Sequence, residues 1–313
     1  MYSFNTLACL SVLKPFDLEC KAQDRYQRLS DEFSKFSVSI TDLKGFKIPK
    51  AIGLINFYAN KNELLNQTDK TLLNNKQWLI WNNGQKYINS MSSISVEIDD
   101  VLNLHKALFT TNFLQDFNSD LGKLRINSAQ TNPKIFLNCD DKILNDQIFD
   151  VLKVYDLKNE EGYPYLAIEN VSGCDNKNYS SGELIYFKGA SVKIELIRWL
   201  VDLNDMISRY ENKNADQELS PLNYLSDMKR WFLALRPFNQ GNEEVVDALI
   251  DYALKRLHLP VSQSHASIPI IYLSAENNRT ETVKQLQAEL TFFEGCLFEY
   301  KTKLISSECS SLK

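Results

Sequence analysis

The chemistry open to this chain gathers in one short stretch, Arg236-Pro237-Phe238-Asn239-Gln240-Gly241-Asn242-Glu243-Glu244, with Asp247 one turn further on. A guanidinium, three side-chain amides and three carboxylates stand beside a Pro/Gly loop between two helical patterns, a common way to hold a site rigidly. The detail of each residue narrows that. An arginine stays protonated and accepts no proton, so Arg236 is not a general base. A helix opening near Glu243 would offer a phosphate its free N–H groups and the positive end of its dipole. Glu243 and Glu244 occupy that first turn instead. One carboxylate about 4 Å from one phosphate charge costs about 1 kcal/mol in water and about 4 kcal/mol near a protein surface. Two of them repel a polyphosphate. Read without any ligand, the same two residues cap a helix and stabilise it by about 0.3–1 kcal/mol each. Acid–base chemistry is limited further by the supply of histidine, since only His105, His258 and His265 exist.

Two helices must position this loop. Ser220 is a good N-cap and Pro221 suits the first helical position. Leu222, Leu225, Met228, Phe232 and Leu235 then recur at helical spacing. Pro237 and Gly241 interrupt the pattern. Val245, Val246, Leu249, Ile250, Ala253, Leu254 and Leu257 form the apolar face of the second helix. Upstream, Val101, Leu104, His105 and Leu108 fit one helix face. A lone histidine on such a face reads as a hydrogen-bonded structural residue. Ser191 to Tyr210 predicts another helix, with Ile194, Ile197, Leu200, Val201, Asn204 and Ile207 on one side. Glu281 to Leu304 predicts a last one.

Residues 1–95 are harder to read. Asp24 to Phe36 suggests an amphipathic helix. Trp78-Leu79-Ile80-Trp81 is an apolar run that reads as core, and Asn82-Asn83-Gly84 after it reads as a turn. Between about 130 and 188 the pattern changes to strand-like runs. These are Lys134 to Leu137, Val151 to Leu157, Tyr163 to Ile168 and Leu184 to Phe187. Asn159 to Gly162 suits a turn, and Ser172 to Gly182 reads as a polar loop.

Composition sets outer bounds. The chain has 313 residues and a net charge of -5, which argues against nucleic acid as a partner. No apolar run of about 18 residues is present to span a membrane. The six cysteines are scattered, without metal-ligand spacing, so no metal is expected. Scattered cysteines suggest reduced thiols and a cytoplasmic protein.

The loop resembles the signature of the Fic family, H-P-F-x-[D/E]-G-N-G-R-x-x-R, in degenerate form. Pro237, Phe238, Gly241 and Asn242 match it. Arg236 stands in the place of the catalytic histidine, and Gln240 in that of the metal-binding carboxylate. Glu243 stands for a glycine, and Glu244 and Asp247 for the two arginines. Leu104-His105 followed by Gly122 to Arg125 resembles the opening of the family's core. Trp199 to Asn204, Leu259-Pro260 and Ser274 to Arg279 resemble its later helices.

This resemblance implies a mainly α fold, a Fic-like helical core with a small β flap or insertion. It places an N-terminal region of unknown function at 1–95. The Fic-like domain follows at 96–305, with a β-rich insertion at about 130–188, and then a flexible tail at 306–313. Active members transfer AMP or a related group to a protein hydroxyl. Here the expectation is a pseudoenzyme acting through protein–protein interaction, with no catalytic residue, cofactor, metal or nucleotide. The partner would dock on 130–188 or on 1–95. The alternatives are a transferase of AMP, another nucleotidyl group or a sugar that uses non-standard residues, and a structural partner of an active family member. Secretion into a host cell is left open by the sequence.

Overall fold

The computed structural model describes residues 17–33, 75–91, 95–109, 120–125, 134–138, 166–169, 179–186, 192–211, 220–257 and 275–302, with 35 and 259. Among them the architecture is mainly α. The helices are α1 (Asp17–Phe33), α2 (Lys76–Ser90), α3 (Ile98–Leu108), α4 (Val192–Glu211), α5 (Pro221–Leu235), α6 (Asn242–Arg256) and α7 (Ala275–Thr302). One continuous set of buried apolar side chains joins them, from Leu29 and Phe33 of α1 to Leu290 and Phe293 of α7. Helices α1 and α2 therefore share the core of the later helices.

The helix boundaries follow local chemistry. Ser220 accepts the Asn223 N–H and Pro221 opens α5, as the sequence implies. At α3, Glu97 and Asp100 form a reciprocal capping box. Asn204 of α4 clamps the same entry, accepting from the Val96 N–H at 2.8 Å and donating to the Val96 carbonyl at 2.9 Å. Helix α7 is tied to α5 by Asn278, which donates to the Ser226 carbonyl and hydroxyl, and by Arg279 against Asp227. Helix α1 meets α7 through Arg25 on Glu294 and Glu32 on Lys301.

Three expectations that fall on the helical residues need correction. Asn82-Asn83-Gly84 is not a turn, because α2 runs through it. Tertiary packing overrides the local signal here. A Cβ at Gly84 would lie 2.9 Å from Leu108 Cδ2, so glycine lets α2 approach α3 closely. Asn83 donates to the Leu108 carbonyl. Trp78 and Trp81 are buried, as core residues.

The apolar face expected for α4 is right only in part: Leu200 and Ile207 are buried, as expected. Ile194 and Val201 are 52% and 59% exposed, and Ile197 is exposed too. The buried side carries Leu196, Trp199, Leu203 and Met206. This helix is apolar on more than one side, so spacing alone cannot choose the face. Trp199 decides it, donating to the Met228 carbonyl at 2.8 Å and packing edge-on against Phe232.

The third correction concerns the thiols. Cys20 and Cys296 are disulfide-bonded, so these two are not the reduced thiols expected.

Three short strands form one antiparallel sheet. They are β1 (Lys134–Asn138), β2 (Leu166–Glu169) and β3 (Tyr179–Tyr186), with β3 in the middle. Lys134 pairs with Glu183 and Asn138 with Tyr179 on one side, and Leu166 pairs with Tyr186 on the other. Strand β3 thus takes in 179–182, expected to be loop. Main-chain pairing with β1 needs no apolar side chains, which is why polarity misleads there. The strand expected at Val151 to Leu157, the turn at Asn159 to Gly162, His258, His265 and the tail 306–313 lie outside the described residues.

Candidate functional site

The loop between α5 and α6 is built from its own backbone outward. Helix α5 stops because Arg236 turns left-handed, at φ 46° and ψ 67°, while its N–H still closes onto the Phe232 carbonyl. A non-glycine residue is uncommon there and is held by its surroundings. Those surroundings come from 120–125. Arg125 is 2% exposed, and its guanidinium donates to the carbonyls of Arg236 at 2.6 Å and Leu235 at 3.1 Å. Its own N–H donates to the Pro237 carbonyl at 2.9 Å. One buried cation thereby satisfies the orphan carbonyls at the negative end of α5.

The other half of the loop closes on itself. Asn242 accepts from the Phe238 N–H and donates to the Phe238 carbonyl, both at 2.9 Å. Phe238 is fully buried and stacks on the His105 ring with centroids 4.0 Å apart. Gly241 sits at φ 76°, and a Cβ there would lie 2.4 Å from Phe109 Cε2. Both conformation and space demand glycine.

His105 joins the two halves. The Gly122 N–H donates to Nδ1 at 3.0 Å, so Nε2 carries the proton and faces the Gln240 carbonyl at 3.1 Å. Burial pushes its pKa down to about 4. The ring is neutral near pH 7, and its lone pair is already occupied. It supports the loop, as the sequence reading has it.

The remaining polar residues of this stretch lie elsewhere. Gln240 is exposed. Glu243, Glu244 and Asp247 line a cavity of about 370 Å³. Among the described residues its apolar surface comes from Ile80, Trp81 and Gly84 of α2, Leu108 of α3 and Ala248 of α6. Lys76, Gln77, Gln85 and Asp251 complete it. Asp247 pairs with Lys229 at 2.5 Å, and Asp251 accepts from Gln85 at 2.7 Å. Burial raises the Glu244 pKa, and the neighbouring Glu243 and Asp247 carboxylates add to the rise. Among the described residues no group of three or more His, Cys, Asp or Glu is placed to hold a metal ion.

No family model matches this chain, and no curated protein matches it. Solved structures do. A fragment of C. elegans Fic-1 superposes with a TM-score of 0.41 at 12% identity, covering 88% of this chain and 71% of that one. A singly substituted form of the same fragment gives 0.37, with the same identity and coverage. The likeness is loose, and the functional reading is built on this chain's own residues.

The sequence pointed to the loop and to the acidic first turn of α6. It missed the cavity and the capping role of Arg125. The cavity had a signal: Glu243, Glu244, Asp247 and Asp251 recur at helical spacing, which puts four carboxylates on one face of α6. The share contributed by α2 had none, because Asn82-Asn83-Gly84 hides that helix.

Proposed function

We propose that this chain is a degenerate Fic-like protein that binds another protein and transfers no group. The observation that supports this most is the division of labour in the loop. Pro237, Phe238, Gly241 and Asn242 are spent on shape. Arg236 cannot take a proton, Gln240 is no metal carboxylate, and Glu243 and Glu244 repel phosphate. No catalytic residue, cofactor, metal or nucleotide belongs to this reading.

The 130–188 segment is the first candidate for docking, with 1–95 the second. Strands β1 and β2 flank β3, and each pairs on one side only among the described residues. An edge of that kind can take a strand from a partner through main-chain hydrogen bonds. No helix among the described residues is long and apolar enough to cross a membrane. A disulfide bond at Cys20 and at Cys296 fits an oxidising compartment better than the cytoplasm expected from the sequence.

One group favours the alternative, a protein-modifying transferase with non-standard residues. Glu244 borders a cavity, and its carboxyl pKa is raised by burial, as in a carboxylate tuned for proton transfer. Incubation with labelled ATP and magnesium, and separately with labelled nucleotide sugars, in a cell lysate tests both readings. No label should reach any protein. Transfer that disappears on Glu244→Gln or Arg236→Ala would establish the enzyme instead. Calorimetry should likewise detect no ATP or GTP binding at millimolar concentration.

A further inference from the structure

The cavity between α2, α3 and α6 has a surface of two kinds. Ile80, Trp81 and Leu108 give it an apolar wall, and the first turn of α6 gives it carboxylates. Its volume of about 370 Å³ is at the small end for ligand pockets. That suits one extended side chain better than a nucleotide.

The charge at the mouth is not used up inside the protein. Asp247 is held by Lys229, and Asp251 by Gln85. Glu243 and Glu244 form no ion pair among the described residues. Lys76, on the α2 side, is the basic residue among those lining the cavity. It lowers the Glu244 pKa less than burial and the neighbouring carboxylates raise it. The site therefore keeps an excess of negative charge beside an aromatic wall. A cation on an apolar stem meets both features at once. Its stem covers Ile80 and Leu108, its charged head reaches Glu243 and Glu244, and the Trp81 indole favours a planar cation.

We propose that this cavity receives an arginine side chain from a partner protein. The inference rests on the protein-binding reading and deepens it by naming the group recognised. Arginine fits better than lysine because its planar guanidinium can stack on an indole and meet two carboxylates in one plane.

The test uses the full chain and a capped arginine, acetyl-arginine methylamide, titrated by calorimetry. Acetyl-norleucine methylamide serves as its neutral counterpart. The arginine probe should bind at millimolar concentration or better, and the norleucine probe at least tenfold more weakly. Glu243→Gln with Glu244→Gln should weaken the arginine probe at least tenfold. Glu243 is exposed, Glu244 is half-buried, and glutamine keeps the size of each side chain, so the double variant should fold, and circular dichroism checks that. Equal binding of the two probes, no binding of either, or no loss in the folded double variant would each overturn the proposal.

The probe also separates this inference from the reading beneath it. A partner recovered on the parent chain should be displaced by excess arginine probe. A partner that resists displacement overturns the arginine assignment and leaves the protein-binding reading intact. Carboxylate-dependent probe binding by a chain that captures no protein overturns that reading, and with it a partner as the source of the arginine.

Discussion

The two flanks of the α6 N-terminus differ in how their polar groups are spent. On the loop side, Arg125, His105 and Asn242 are buried and matched to backbone partners. On the cavity side, Glu243 and Glu244 face an opening without an ion pair among the described residues. The loop side resembles a protein interior, where every unmatched group is costly. The cavity side resembles a surface awaiting a ligand. The residues that hold the shape of the loop are therefore not the ones that line the cavity.

The comparison breaks most visibly on the loop side. Arg125→Met keeps the length of the side chain and leaves the Leu235 and Arg236 carbonyls buried without their donor. The expected loss is about 3–5 kcal/mol in denaturant unfolding. Gly241→Ala should cost about 2–4 kcal/mol through positive φ and the Phe109 ring. A loss below about 1 kcal/mol for both would mean that the loop is not a locked interior.

Acid gives a graded test of the same side. The folded-state pKa of His105 is about 4, below the ordinary value of about 6.5. The unfolded chain therefore binds the extra proton first as pH falls. The histidine's contribution is complete above about pH 6.5 and is lost progressively down to about pH 4. At most about 3 kcal/mol is involved. Urea midpoints of the parent should fall across that window more steeply than those of His105→Gln. Parallel curves would show that the ring is not buried neutral.

The cavity side should barely respond in stability. Glu243→Gln with Glu244→Gln removes a favourable helix-dipole term of about 0.3–1 kcal/mol per charge. It also relieves the repulsion between neighbouring carboxylates and the burial of Glu244. The net change should lie within about 0.5 kcal/mol. A large loss would make these residues structural and erase the contrast.

What could be read from the sequence follows the same division. Helices α5 and α6 were legible because their caps and spacing are local: Ser220, Pro221, the Leu222 to Leu235 stripe, and Gly241. The structural place of His105 was legible from its apolar neighbours. The α2 segment was not, because Asn82-Asn83-Gly84 has turn chemistry and becomes helical only by packing against Leu108. The buried side of α4 was legible only at Leu200 and Ile207, since Ile194, Ile197 and Val201 are as apolar as the residues that are buried. Arg125 was visible as part of a turn, but its partners are carbonyls 110 and 111 positions away. Periodicity carries no information about contacts at that range.

The pairing of α1 with α7 bears on how the chain is made. Arg25 meets Glu294 and Glu32 meets Lys301, each across 269 positions. A ribosome adding about 5–20 residues per second takes on the order of tens of seconds to supply the second helix after the first. For that interval Ala22, Leu29 and Phe33 cannot reach their final neighbours on α7. Helix α1 is synthesised early and seated late, because its docking must wait until α7 has left the ribosome.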